Sequence, residues 1–277
     1  MQSSAVRWMI FFGVGVLVLL LGLREHSLSA DGRLHVRFFD VGQGDSALIT
    51  TPSGRTMLID GGPDWSTLEE LGNVLPFFQR HIDLLMLSHP NMDHLLSFPE
   101  ILKRYSVGMI VVSGVQNSPV RYNELLARAR DQHIPILIVS AGHIIRLGDG
   151  AVLRILWPPA KMPTGFPKND NDTSVVAMLE YAGHRALFTG DEERPVEETL
   201  VRAHADLRAD ILKVAHHGSR TSSATGFLLA VHPSLAIISV GAHNSYGHPR
   251  QEVVDRLRKF GATVKRTDQD GTVEVVW

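Results

Sequence analysis

Apolar and polar residues alternate with period two over Leu34–Phe39 (LHVRFF), which predicts a strand. Ser46–Thr50 and Thr56–Ile59 repeat the pattern around Pro52-Ser53-Gly54 and predict a hairpin. Longer segments with helical spacing follow at Ser66–Arg80, Leu95–Arg104 and Arg121–Asp131. They alternate with apolar runs at Leu84–Leu87, Met109–Val112 and Ile136–Val139. Strands are predicted at Ala151–Trp157, Ser174–Tyr181 and Arg185–Thr189, with Pro158–Lys168 as the clearest loop. The last third alternates again. Helices at Glu193–His204, Ser223–Val231 and Gln251–Phe260 are interleaved with strands at Ile211–Val214 and Leu235–Val240. Short strands near Thr263–Lys265 and Thr272–Val276 close the chain.

The polar residues with metal-binding chemistry follow these apolar runs. Asp60 follows MLI, His89 follows LMLS, Asp191 follows ALFTG, His216 follows ILKVA, and Gly241–His248 follows AIISV. Side chains at one edge of stacked strands converge, and α/β folds place their sites there. The segment Ser88-His89-Pro90-Asn91-Met92-Asp93-His94 carries two imidazoles, a carboxylate and an amide where a strand gives way to a helix. The chain has 14 His but no Cys, so a metal here must be held by imidazole, carboxylate and amide groups. The other His residues have no such context and read as structural.

The N-terminus differs in kind. Trp8–Leu23 carries no charge and lies between Arg7 and Arg24-Glu25-His26, with small residues at Ser27, Ser29 and Ala30. Sixteen residues exceed most signal-peptide cores and fall slightly short of a spanning helix. Residues 1–30 are expected to direct export, as an uncleaved anchor or a cleaved signal, leaving residues 31–277 as a single domain outside the cytoplasm. Without residues 1–30 the chain keeps 25 basic and 28 acidic residues, a formal charge of −3. That excludes a strongly basic nucleic-acid footprint.

Seven stretches carry a family likeness: FFDVGQGDSALI (38–49), LIDGG (58–62), SHPNMDH (88–94), NDNDTS (169–174), LFTGDEE (187–193), LKVAHHGSRTSS (212–223) and SVGAHNSYGHP (239–249). Together they resemble the metallo-β-lactamase superfamily, and within it the extracytoplasmic β-lactamase-like domain of ComEC-type competence proteins. The resemblance implies an α/β fold, the αββα sandwich of two mixed sheets between helix layers, with the metal site in the groove between sheets. It implies His89 as a ligand on one side, Asp93 and His94 on the other, and Asp191 as a bridge. His217 or His248 would complete the second side. Asp60, His216 and Asp170 would support the ligands from behind.

Two departures bear on the metal. Asn91 stands where the superfamily usually has a His, and Asn169-Asp170-Asn171-Asp172 stands where another is expected. Asn91 as a ligand supplies oxygen rather than nitrogen, which moves preference from zinc toward manganese or magnesium. One tightly held divalent ion, manganese or zinc, and a weaker second are expected. An oxygen-rich site suits a phosphodiester, and the resemblance points to DNA. Asp93 would orient a metal-activated water, and His248 would be the last ligand or an acid for the leaving oxygen. Lys213, Ser219, Asn244 and Tyr246 are candidate substrate contacts. The competing readings are hydrolysis of a small or cell-envelope phosphodiester, ester or lactone, and a non-catalytic DNA-binding protein.

Overall fold

The computed structural model describes residues 2–28, 31–114, 119–162, 165, 167 and 169–277. Its strands are β1 (His35–Phe38), β2 (Ala47–Thr50), β3 (Thr56–Ile59), β4 (His81–Met86), β5 (Ser106–Val112), β6 (Ile136–Ile138), β7 (Ile144–Gly148), β8 (Ala151–Trp157), β9 (Val176–Tyr181), β10 (His184–Phe188), β11 (Ile211–Lys213), β12 (Leu235–Ile238), β13 (Thr263–Arg266) and β14 (Val273–Val276). The helices are α1 (Gln2–Leu28), α2 (Ser66–Val74), α3 (Met92–Leu95), α4 (Phe98–Arg104), α5 (Val120–Asp131), α6 (Arg194–Arg202), α7 (Thr225–Val231), α8 (Gln251–Lys259) and α9 (Thr267–Asp270).

The strands form two seven-stranded sheets, ordered β14-β1-β2-β3-β4-β5-β6 and β13-β12-β11-β10-β9-β8-β7. Each sheet is antiparallel on one side and parallel on the other, with β3–β6 parallel in the first and β10–β13 in the second. Alternate side chains of both sheets fill a central apolar layer in which Phe38 and Phe188 stack at 5.6 Å. Two outer layers seat helices on the far faces. Leu71, Phe98 and Leu125 pack on the first sheet, and Leu200, Phe227 and Leu257 on the second. This is the expected αββα sandwich.

Local differences have local causes. The helix expected over Ser66–Arg80 ends at Val74, because Pro76 pushes Leu75 into extended geometry (φ −96°, ψ 144°). The helix expected over Leu95–Arg104 is divided between α3 and α4, and Pro99 in the first turn of α4 lacks the N–H to bond Leu95. β7 was not anticipated. It is a half-exposed edge strand whose Ile145 and Leu147 turn inward while Arg146 turns out. The helix α9 was missed as well.

α1 is continuous, with Trp8, Phe11, Phe12 and Leu17 exposed. Among the described residues no helix is long and apolar enough to cross a membrane. Ser29 and Ala30, half of the expected cleavage region, lie outside the described residues, as do parts of the Pro158–Lys168 loop.

Candidate metal centre

Parallel strands start at one end of the sandwich and finish at the other, so the loops after β3, β4, β10, β11 and β12 gather along one edge. Gly190 is one point where these loops come close. A Cβ there would lie 2.9 Å from Ser174 Cβ and 3.0 Å from Ser88 Cβ, and its φ of +54° is one that glycine adopts freely. The next residue, Asp191, is thereby carried under the loop holding His89 and His94. Its N–H donates to Ser174 Oγ at 3.0 Å.

Asp93, His94, Asp191 and His217 each offer one ligand atom within 4.8 Å of the others. His94 Nε2 lies 3.3 Å from Asp191 Oδ1, His217 Nε2 lies 3.4 Å from Asp191 Oδ2, and His217 Nε2 lies 3.3 Å from Asp93 Oδ2. Ligands about 2.1 Å from a shared ion in tetrahedral array are separated by ~3.4 Å, so the spacing fits an ion held between them. Buried atoms without a hydrogen-bond partner point the same way: His89 Nε2, His94 Nε2, Asp191 Oδ1 and His248 Nδ1. Burying polar atoms unpaired is costly, and a cation would satisfy them.

Hydrogen bonds behind the rings fix which nitrogens face the centre. His217 Nδ1 donates to Ser239 O at 2.9 Å, and a carbonyl only accepts, so Nε2 is the nitrogen that gives up its proton and offers its lone pair to an ion. His94 Nδ1 donates to Asp60 Oδ2 at 2.8 Å. Asp60 also accepts from Ser88 N and Ser88 Oγ, both at 2.7 Å. Imidazole–carboxylate pairs of this kind orient metal ligands.

The electrostatics are those of a site built for positive charge. Burial opposes a charged His94, but Asp191, Asp60 and Asp45 together hold its pKa well above the ordinary value. His217 is raised likewise, against burial, by Asp191 and Asp45. Burial would raise Asp191, yet His217 and His94 hold it well below the usual carboxylate range. Asp93 falls to about 2 because the His217 hydrogen bond and the His94 charge outweigh burial. His89 drops to about 3 through burial and then the neighbouring His94, and is neutral at pH 7.

The remaining candidates are distributed unevenly. His216 and His217 both adopt left-handed backbone (φ 51° and 52°), uncommon for non-glycine residues, and this divides the adjacent rings. His217 enters the centre, while His216 Nδ1 lies 3.2 Å from Thr221 Oγ1 and 3.3 Å from Glu193 Oε1. Asn91 sits at the start of α3 and donates through Nδ2 to Asn171 Oδ1 at 2.9 Å. Asp170 is exposed, and Asp172 is the buried carboxylate of that stretch. The short helical turn over residues 170–173 points Asp170 outward, so it does not back a ligand.

His248 is half-buried, 6.5 Å from His217 between ring centres, and held at about 4 by burial and then the neighbouring His216 and His217. Lys213 does not line the cleft. It is buried at the end of β11, ion-paired with Asp45, and donates to Gly190 O. Ser219 is buried against Thr221, and Asn244 braces its own loop by bonding Gly241 O and His248. Of the four expected substrate contacts, only Tyr246 is openly exposed.

Sequence reasoning missed Ser88, Ser174, Asn171, Glu193 and Arg250. Asp45, which follows an antiparallel strand rather than a parallel one, also reaches the site from the β1–β2 loop.

The superfamily model for metallo-beta-lactamases matches residues 39–243, which contain all four clustered ligands. The chain belongs to the metallo-beta-lactamase superfamily. It is 31% identical to ComE operon protein 3 of Bacillus subtilis over 99% of this chain and 36% of that protein. It is 31% identical to Recombination protein 2 of Haemophilus influenzae (85% and 28%) and 30% identical to Competence protein ComA of Neisseria gonorrhoeae (86% and 32%). The chain therefore spans about a third of the length of these relatives. Among solved structures, the metallo-beta-lactamase fold protein YhfI of B. subtilis is similar with a TM-score of 0.59 at 10% identity, covering 88% of this chain and all of that one. CmlA, a diiron beta-hydroxylase of Streptomyces venezuelae, is similar with a TM-score of 0.58 at 14% identity, covering 88% and 54%. These similarities establish the fold, and with the clustered donors they support a metal-dependent hydrolase.

Proposed function

We propose that this superfamily member is an extracytoplasmic metal-dependent phosphodiesterase acting on DNA. The observation that carries the reading is the clustered donor set of Asp93, His94, Asp191 and His217, half of it carboxylate. Oxygen donors favour a hard divalent ion, and hard ions suit phosphoryl oxygens. The names of two relatives, Recombination protein 2 and Competence protein ComA, support nucleic acid as the substrate.

When bound, a divalent ion would lower the pKa of a coordinated water and draw charge from the attacked phosphoryl group. The chain's own residues do the rest. Asp93 has a side chain one-third exposed and is the member of the cluster open to the cleft. With its pKa near 2 it is ionised at neutral pH and accepts a hydrogen bond from the attacking water, orienting it. His94 and His217 are each locked to one tautomer from behind, so their Nε2 lone pairs stay aimed inward. His248, at about 4, is neutral at pH 7, which fits a ligand or hydrogen-bond acceptor better than a proton donor. Manganese and zinc both match the donors. Asp93, His94, Asp191 and His217 would hold the first ion, and His89 with Asn91 would offer a poorer second place.

The apolar run of α1 supports export, with residues 1–30 as an anchor or a signal. Hydrolysis of bis-p-nitrophenyl phosphate, compared with p-nitrophenyl ester and lactam substrates, tests the reaction class. Metal-dependent turnover of the phosphodiester alone is expected, and turnover of only the ester or lactam would overturn the assignment.

A further inference from the structure

The loop after β12 carries a second feature beside the metal cleft. Asn244 holds the loop rigid, donating to Gly241 O at 2.9 Å and His248 O at 2.6 Å while accepting from His248 N at 3.0 Å. On this frame Tyr246 is 63% exposed. One face of its ring stacks on His248, with centres 5.9 Å apart and planes 24° from parallel. Most of the rest of the residue is exposed to solvent. Large aromatics are ordinarily covered, and one held flat at the lip of a cleft is a ready stacking surface.

Beside it stands the cation of Arg250. Arg250 Nη2 donates to Tyr246 O at 3.0 Å, and Gly247 leaves room for the guanidinium, since a Cβ there would lie 3.1 Å from Nη1. Arg250 Nε is buried without a hydrogen-bond partner. Among the described residues the guanidinium's hydrogen bond is to the Tyr246 carbonyl, and no carboxylate pairs with it. The Arg250 N–H also bonds Gly218 O at 2.9 Å, tying the loop to the turn that positions His217.

We infer that Tyr246 and Arg250 form a nucleotide subsite flanking the metal centre, which takes an unpaired base on the Tyr246 ring and its phosphate on Arg250. Resting on the phosphodiesterase reading, this names the substrate as a single strand. A base within a duplex already has both faces stacked, whereas a single strand can lay a base on an aromatic ring and its backbone on a cation. Tyr246 is then a specificity residue rather than a phosphate contact, and Arg250 is the anion-binding group.

Binding of a fluorescein-labelled eight-residue oligo(dT) to the full chain, read by anisotropy in EDTA so that no cleavage intervenes, tests the subsite. Tyr246→Ala should weaken binding about tenfold, and Tyr246→Phe and Tyr246→Trp should bind within about twofold of wild type. Arg250→Gln should weaken binding and flatten its salt dependence. A duplex of the same length should bind more weakly and ignore Tyr246→Ala. Equal affinity of wild type and Tyr246→Ala for oligo(dT), or equal losses for single strand and duplex, would overturn the inference. Wild-type turnover of bis-p-nitrophenyl phosphate separates the two claims. Turnover with Tyr246-independent binding removes only the subsite, and Tyr246-dependent binding without turnover removes only the phosphodiesterase reading.

Discussion

Lys213 and Asp45 form a buried ion pair that joins the two sheets directly behind the candidate metal centre. Lys213 ends β11 of the second sheet, and Asp45 lies in the β1–β2 loop of the first. Asp45 Oδ1 is also 3.4 Å from His217 Nδ1, and its Oδ2 is 3.8 Å from His94 Nδ1. Burial alone would raise Asp45, but Lys213 and the two histidines keep it below the usual carboxylate range. One carboxylate thus supports both imidazoles while one ammonium balances it.

Removing one partner of such a pair strands a charge in the interior. Lys213→Met should destabilise the chain by about 3–5 kcal/mol in chemical denaturation, and Asp45→Asn with Lys213→Met should recover much of that loss. A Lys213→Met chain of unchanged stability with only a raised KM would restore Lys213 as a substrate contact.

Metal binding should release protons. In the metal-free chain His94 and His217 have raised pKa values, so both carry protons at and above pH 6.5 that an ion must displace. His89, held at about 3, has none to give. Metal affinity should therefore rise with pH through neutrality. The stability of the metal-free chain should move oppositely: the charged rings contribute fully below pH 6.5, and that contribution is lost as pH climbs through their raised values. Calorimetric titration in buffers of different ionisation enthalpy reads the protons directly, and uptake or no release at pH 7 would refute the assignment.

Asp60 should act on the metal through His94 alone. Asp60→Asn offers an amide in place of the carboxylate and weakens the hold on the His94 tautomer. It should cost about 10–100-fold in metal affinity while the fold survives. Competition with a coloured chelator measures this, and unchanged affinity would make Asp60 merely structural.

Much of this was legible in the chain because strand ends announce themselves. MLI before Asp60, LMLS before His89 and ALFTG before Asp191 placed three segments at one edge, and the parallel halves of both sheets explain why they meet. The sequence could not reveal side-chain direction. Lys213 looked like a phosphate contact until its place at the end of a buried strand turned it toward Asp45. Asp170 and Asp172 were indistinguishable until a single helical turn buried one and exposed the other. The ligand role fell to His217 rather than His216 already in the sequence, but the two left-handed residues that divide their rings give no signal in residue type. β7 was overlooked because an exposed edge strand alternates weakly.

Cleavage of single-stranded DNA by metal-depleted chain resupplied with manganese, zinc or magnesium, beside Asp93→Ala and Asp191→Ala, tests whether the clustered donors hold a catalytic metal. Cleavage that returns with manganese and falls at least about a hundredfold in both variants is the expected result. DNA left intact under every metal, or cut equally by wild type and Asp93→Ala, would contradict it.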